Sequence, residues 1–413
     1  LALLLGAGAA QAQDVPRLPT GGLTLAGALD QAEAVAPELS LGTAAVAREA
    51  ARRESAGILP ATEFFLGVDR VPTIDGGFGG TETSLGASQS FRLPQYYRAQ
   101  RGAADALLRQ AEVEQGALRR GVRLRAALAY VEAVAADARL TLADSSVAVA
   151  ESFATASNRR QELGATGALE PLQAEVALAQ AVRVQAEAAG EARRARAALA
   201  TYLARTGEIA LADALPEVTV ADLPDLDRLA ATGALDSLLT RANPRVAAAE
   251  AAVRVAEAEA RAVRTERLPS FGAEAALQTE GGAVGFLGGR VGVAVPLARL
   301  ANDAPDRAAQ SAVEVARFER DRLVIGLAAD LRQRVASLRA AVAQVALYRD
   351  RLVPQAERAY AIAIRLRREG AASYLEVLQA QTALIETRAA ALDARANAAR
   401  LRTEADALLN PDF

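Results

Sequence analysis

Four short stretches of the chain alternate apolar and polar residues with a period of two, and almost everything else is helical in spacing. In Ala61–Val71, Phe64, Leu66 and Val68 fall on one side and Glu63, Gly67 and Asp69 on the other. In Thr81–Leu93, Leu85, Ala87, Phe91 and Leu93 oppose Glu82, Ser84, Ser88 and Arg92. In Ser270–Thr279, Phe271, Ala273, Ala275 and Leu277 oppose Ser270, Glu274 and Gln278. In Phe286–Val295, Leu287, Val291, Val293 and Val295 oppose Gly288, Arg290 and Gly292. This period predicts four β-strands in two pairs. Asp75-Gly76-Gly77 with Gly79-Gly80 marks the turn of the first pair, and Gly281-Gly282 with Gly285 that of the second. Pro94 and Pro296 mark the exits into helix.

The helical stretches are long. Helix is expected over Leu25–Ile58, interrupted near Pro37, and then from Gln95 to Glu162. A turn at Gly164–Gly167 reverses the chain, and helix resumes to about Arg205. The second half repeats the order, with helix over Leu235–Arg267, broken near Asn243-Pro244, and from Pro305 to Arg368, bent at Pro354. After a turn at Gly370, helix runs to Leu409. A helix of about 65 residues is a rod of roughly 100 Å, which no small core covers, so an equally long helical partner is implied. In the last helix Leu375, Leu378, Thr382, Ile385, Ala389, Leu392, Ala396 and Ala399 follow the 3–4 spacing of a coiled-coil seam. An ordinary Ala-rich helix would look similar, but the great length, occurring twice, favours the coiled coil.

The order repeats because the sequence does. Gly164-Ala165-Thr166-Gly167-Ala168-Leu169-Glu170-Pro171-Leu172-Gln173-Ala174 returns as Gly370-Ala371-Ala372-Ser373-Tyr374-Leu375-Glu376-Val377-Leu378-Gln379-Ala380, 206 positions later. Gly27-Ala28-Leu29-Asp30 returns as Gly233-Ala234-Leu235-Asp236 at the same offset. A period this long indicates a duplicated folding unit rather than a solenoid. The expected organisation is a first repeat over residues 23–205, a Pro- and Asp-richer linker over 206–225, and a second repeat over 226–409.

Strands of about ten residues suit tilted transmembrane β-strands, apolar face to lipid and polar face to a lumen. Half-buried strands of a soluble sheet give the same pattern. Four strands cannot close a barrel, so a membrane-spanning chain must associate, two chains giving eight strands and three giving twelve.

Composition narrows the chemistry. Cys, His, Met, Trp and Lys are absent, and all 47 basic residues are Arg. Structural zinc, thiol chemistry, disulfides and histidine acid–base catalysis are thereby excluded. No cofactor, metal or catalytic constellation is expected, and a net charge of -3 argues against nucleic acid as a partner. Leu1–Ala10 is an apolar run, and Ala10-Gln11-Ala12 fits a small-x-small cleavage site. Residues 1–12 therefore read as the remnant of a signal peptide in a sequence cut short at its start, or else as an apolar N-terminal helix. No other stretch is apolar enough for a membrane helix.

Three local patterns carry a family resemblance: Gly57-Ile58-Leu59-Pro60; Leu85-Gly86-Ala87-Ser88-Gln89-Ser90-Phe91 leading into a helix with Arg98 and Arg101; and Arg367-Arg368-Glu369-Gly370 continuing to Gln381, echoed from Arg160 to Glu175. From Leu23 to Leu409 the chain resembles the TolC-like outer-membrane efflux proteins, and its segments before and between the strands are most similar to the heavy-metal (cobalt–zinc–cadmium type) branch. The resemblance implies a mainly α fold with a membrane part: a homotrimer whose twelve-stranded β-barrel, four strands per chain, continues into a long α-helical coiled-coil tunnel. It implies the outer membrane of a Gram-negative bacterium, with the helices in the periplasm. It implies a passive efflux duct whose partners are a periplasmic adaptor and an inner-membrane pump of the RND type. By position, Gly164, Ala165, Gly370 and Ala371 would form the hairpin turns that dock the adaptor. Glu170 and Glu376 would sit at the tunnel-entrance aperture, where the family often carries Asp. Gln379 replaces the family's second acidic position there. Phe64, Leu66, Val68, Leu85, Phe91, Phe271, Leu277, Val291 and Val293 would face lipid. A lipidated N-terminal Cys, present in some members, is absent.

Residue chemistry alone leaves Glu170 and Glu376 equally readable as first-turn helix residues favoured by the helix dipole. Other functions consistent with the pattern are the outer-membrane duct of a type I protein secretion system and a soluble periplasmic coiled-coil adaptor or scaffold. An enzyme is not expected.

Overall fold

A computed structural model describes residues 22–72, 78–207, 209–219, 243–280 and 283–410. The signal remnant expected over residues 1–12, the turn at Asp75-Gly76-Gly77, linker residues 220–225, the helix over 235–242 and Gly281-Gly282 lie outside the described residues.

Helix α1 (Leu25–Val35) starts at Thr24, whose hydroxyl accepts the Gly27 N–H, and yields at Pro37 to α2 (Pro37–Ser55). Strands β1 (Glu63–Pro72) and β2 (Phe78–Arg92) lead into α3 (Pro94–Glu162), a single helix of 69 residues, followed by α4 (Leu169–Tyr202). Helix α5 (Pro244–Thr265) is capped by Asn243, whose side chain accepts the Arg245 N–H. Then come β3 (Ser270–Glu280), β4 (Ala283–Ala294), the short α6 (Leu297–Ala301), α7 (Ala304–Leu347), α8 (Val353–Arg368) and α9 (Tyr374–Leu409).

Element types match the sequence expectation, while several details differ. Gly79, Gly80 and Gly285 lie inside β2 and β4 rather than in turns. Helix α6 had no sequence signal beyond Pro296. The bend expected at Pro354 is a π-helical turn, Tyr348–Leu352, immediately before it. Proline has no N–H, and its ring collides with the carbonyl four residues back, here that of Asp350. A wider turn relieves that collision.

Contacts divide the chain into two compact units, which cut across the sequence repeats: each unit takes a piece of both halves. One unit comprises residues 38–118 and 236–328. It holds an antiparallel sheet in the order β1-β2-β3-β4. Its helices pack through small residues, Ala103 against Ala258 and Ala262, with Ala99 and Ala106 alongside. Where α2 meets α3, a Cβ added to Gly42 would stand 3.2 Å from Gln115, so glycine permits the close approach.

The other unit comprises residues 1–37, 119–235 and 329–413. Its core includes Val218, Leu338, Ala341, Val342, Val345, Ala394, Ala398, Leu401 and Ala405. The segment 209–219, expected as part of a linker, is integral here. Leu23 pairs with Leu211 as an isolated parallel bridge, and Ile209, Leu215 and Val218 are buried. Buried Tyr130 donates its hydroxyl proton in a network with the Leu23 carbonyl, at 2.8 Å, and the Asp213 carboxylate, at 2.9 Å.

The seam read along α9 is one residue out of phase near its start. Tyr374, Val377, Gln381 and Leu384 are buried, while Leu375 and Thr382 are exposed and Leu378 and Ile385 half-buried. Of the expected seam, only Ala396 and Ala399 are buried. Choosing the stripe richest in Leu and Ile missed the one that carries Tyr374 and Gln381. Leu378, Thr382, Ile385 and Ala389 instead line an open groove with α3 and α4.

Candidate functional site

Two features stand out, one in each unit. The first is the sheet. Its register aligns Leu66, Leu85, Leu277 and Leu287 in one row across all four strands. A second row is Phe91, Phe271 and Val293, with the two phenyl rings stacked at 5.7 Å. Phe64, Val68 and Val291 share that face by period. All nine residues expected to face lipid therefore lie on one face. Phe64, Leu66 and Val291 are 81%, 69% and 79% exposed, far beyond what a water-facing sheet tolerates in one patch.

The opposite face carries the row Glu63, Ser88, Glu274 and Arg290, so an acid and a base stand directly opposite on β3 and β4. Phe65 and Phe286 break its polarity, a feature the alternation did not reveal. Phe65 covers Gly86, and Phe286 covers Gly288, where a Cβ would come within 2.4 Å of either ring. As the first and last strands of the sheet, β1 and β4 each have one side without a partner strand among the described residues.

The second feature is the pair of helix-reversing turns. At the end of α3, Gly164 has φ +70; its N–H donates to the Gln161 carbonyl at 2.9 Å, and that of Ala165 donates to Arg160 at 2.8 Å. At the end of α8, Gly370 has φ +76; its N–H donates to the Arg367 carbonyl at 3.2 Å, and that of Ala371 donates to Leu366 at 2.8 Å. Both are complete Schellman caps, in which the residue after the helix must adopt the left-handed region. Nothing lies within 4 Å of a Cβ added at either glycine, so the requirement is purely one of backbone conformation.

The glutamates that follow are matched in sequence but not in environment. Glu376 completes a capping box: Ser373 N–H donates to its carboxylate at 2.6 Å, and the Ser373 hydroxyl accepts the Glu376 N–H at 3.2 Å. The Ser373 backbone donor, then its hydroxyl, hold the exposed Glu376 carboxyl below the usual range. In the first turn the corresponding cap is Ala168, which offers no side-chain bond. Glu170 instead turns to the other hairpin, where Arg367 donates to it at 2.6 Å, and Thr166 adds a hydrogen bond at 2.8 Å. Burial opposes ionisation of Glu170, yet the bonds from Arg367 and Thr166 outweigh it and lower its pKa. Tyr374, 6.3 Å from Phe153, packs with Ala154 and Ala174 beneath this ion pair. Gln379 is exposed. Arg367 lies in the motif read from the sequence, but its partner is 197 residues away, and no local signal reveals the pairing.

Residues 235–410 match the family model described as outer membrane efflux protein. A comparison with curated proteins finds no match. Among solved structures, the outer-membrane channel OprN is similar at 19% identity, covering 94% of this chain and 90% of its own, with a TM-score of 0.78. The CmeC outer membrane channel of Campylobacter jejuni follows at 16%, 94%, 86% and 0.76, and CusC at 19%, 94%, 93% and 0.76. The fold of the chain is the one these outer-membrane channels share. The outer membrane efflux model covers the second repeat, which carries the Gly370 turn, Arg367 and Glu376.

Proposed function

We propose that this chain is one protomer of an outer-membrane efflux duct, exported by a signal peptide and assembled as a homotrimer in a Gram-negative outer membrane. The observation that carries the proposal is the four-stranded sheet with one exposed apolar face. Backbone groups at an open sheet edge cannot be left unpaired in hydrocarbon, so a membrane sheet must close on itself. Three copies supply twelve strands, and β4 of one copy pairs with β1 of the next. The face holding Leu66, Leu85, Leu277 and Val293 then meets lipid, and the row from Glu63 to Arg290 lines the lumen.

The helical hairpins form the periplasmic tunnel, and Gly164, Ala165, Gly370 and Ala371 dock a periplasmic adaptor coupled to an inner-membrane RND-type pump. Support for this is the pair of identical Schellman reversals related by the sequence duplication. Glu376 and Gln379, exposed one turn apart on α9, and Glu170, held by Arg367, border the tunnel aperture. Conduction is passive, since nothing in the sequence resembles a nucleotide-binding or catalytic motif. The cargo follows the heavy-metal branch that the segments before and between the strands most resemble.

Membrane fractionation followed by cross-linking and mass measurement in detergent tests the reading. Recovery with the outer membrane and a mass of three chains are expected; a soluble monomer without detergent would overturn it. Metal sensitivity of a deletion strain, restored by the gene, tests the cargo.

A further inference from the structure

Where β2 runs into α3, an open groove of about 810 Å³ follows the end of the apolar sheet face. Leu59, Phe91, Leu93 and Phe271 form its apolar wall, and Phe91 and Phe271 are the stacked pair that closes that face. Arg98 and Arg101 of α3 line it with Gln89 and Tyr97; Arg92 borders it from the opposite face of β2, and the lining contains no carboxylate.

The three guanidinium groups are held in place without being neutralised. Arg101 donates to the carbonyls of Ala56 and Gly57 at the end of α2, at 3.4 and 3.1 Å. Arg98 donates from Nε to the Pro94 carbonyl at 3.4 Å. The Arg92 guanidinium lies 4.4 Å over the Tyr96 ring, and its backbone N–H donates to the Tyr97 hydroxyl at 3.0 Å. None of the three forms an ion pair with a described residue. Other arginines of the same unit are paired, Arg53 with Asp105, Arg267 and Arg299 with Asp306, and Arg317 with Glu257, while some, such as Arg109 and Arg261, form no ion pair with a described residue. Two uncompensated cations, Arg98 and Arg101, at the foot of an exposed apolar wall match an amphiphile with an apolar tail and an anionic head. Guanidinium presents paired donors that suit phosphate oxygens.

We propose that this groove binds an anionic phospholipid, its phosphate between Arg98 and Arg101 and its acyl chain along Phe91 and Phe271. The site rests on the membrane reading above and adds to it a lipid-selective contact where the strands end. A membrane surface attracts each basic side chain by about 1 kcal/mol, so removal of each arginine should weaken binding roughly five-fold.

The test is native mass spectrometry of the delipidated protein in detergent micelles, titrated with phosphatidylglycerol or phosphatidylcholine. Preferential retention of phosphatidylglycerol is expected. The preference should fall in Arg98→Gln, whose guanidinium bonds only back to the Pro94 carbonyl at the start of its own helix, and vanish in the Arg98→Gln, Arg101→Gln double variant. Equal retention of both lipids by the parent, or an unaltered preference in the double variant, would overturn the proposal. So would binding of free glycerol phosphate as tight as that of the lipid, which would mean an anion site without a tail contact. Fractionation of the parent tests the membrane reading separately. Absence of selectivity in a protein that does reach the outer membrane overturns the lipid site alone.

Discussion

Replacing Arg367 with Met, which keeps length and removes charge, should loosen the two hairpin turns from one another. The pair it forms with Glu170 is short, 2.6 Å, and mostly shielded: the two side chains are 22% and 13% exposed. A freely exposed pair would contribute under about 1 kcal/mol. Breaking a fully buried one would cost about 3–5 kcal/mol through the stranded charge. Glu170 keeps Thr166 at 2.8 Å, and Arg160 stands 3.8 Å away, so the stranding is partial. A coupling of about 1–2 kcal/mol follows, a factor of roughly 5–30 in the population of parted hairpins. Hydrogen exchange over residues 157–175 and 366–381 reads that population. Glu170→Gln and Arg367→Met should each raise exchange by that factor, and the double variant should be no worse than the singles. The pH dependence has a definite sign. The folded-state pKa of Glu170 lies below its ordinary value. Its contribution is thus present above the usual carboxylate range and is lost as pH falls through the lowered pKa. Additive effects in the double variant, or exchange that ignores acidification, would refute the reasoning.

Gly164→Ala and Gly370→Ala should each cost about 1–2 kcal/mol in local turn stability, because a Cβ at positive φ is strained while the space around it is open. Adaptor pull-down and turn-amide exchange should both register the loss while membrane recovery stays normal. Leu66→Arg or Val293→Arg should impair barrel assembly by about 2–4 kcal/mol, whereas Ser88→Asn, on the opposite face, should be mild; heat-modifiability on gels compares them. Pro354→Ala should relax the π turn at Tyr348–Leu352 toward regular helix, visible as slower amide exchange across 348–354. Glu170→Gln combined with Glu376→Gln should change cation selectivity in a planar bilayer, and unchanged selectivity would mean that these carboxylates act only as helix-start and pairing groups.

Most of the architecture was legible because it rests on periods. Alternation placed all nine apolar strand residues on one face, and the glycine of each hairpin was found because the duplication marked it twice. What the sequence concealed depends on distant partners. Phe286 occupies the polar face because Gly288 leaves room for its ring, which alternation does not encode. Residues 209–219 read as linker from their Pro and Asp content, yet Leu211 pairs with Leu23 across the sequence. The stripe on α9 that is buried holds Tyr374 and Gln381, so hydrophobicity alone chose its neighbour. Repeat symmetry suggested that Glu170 and Glu376 would be equivalent, whereas α4 starts from Ala168 without a side-chain cap and α9 from Ser373 with one, the repeat position of Ser373 being Gly167 in the first copy, and their carboxylates go to different partners.

That difference sets an order of maturation. The cap bonds of the α8–α9 reversal are local: its Schellman cap and its capping box draw only on residues 366–376, contacts of the kind that close in the microsecond range. The α3–α4 reversal has the same glycine cap, but its second helix begins without a side-chain cap and leans on Arg367 from the far end of the chain. Contacts of such long sequence separation form late. The first hairpin thus takes one of its closing bonds from the second, which ribosomes make later. A nascent chain that has completed only its first repeat holds a half-finished tip, which the duplicate must complete.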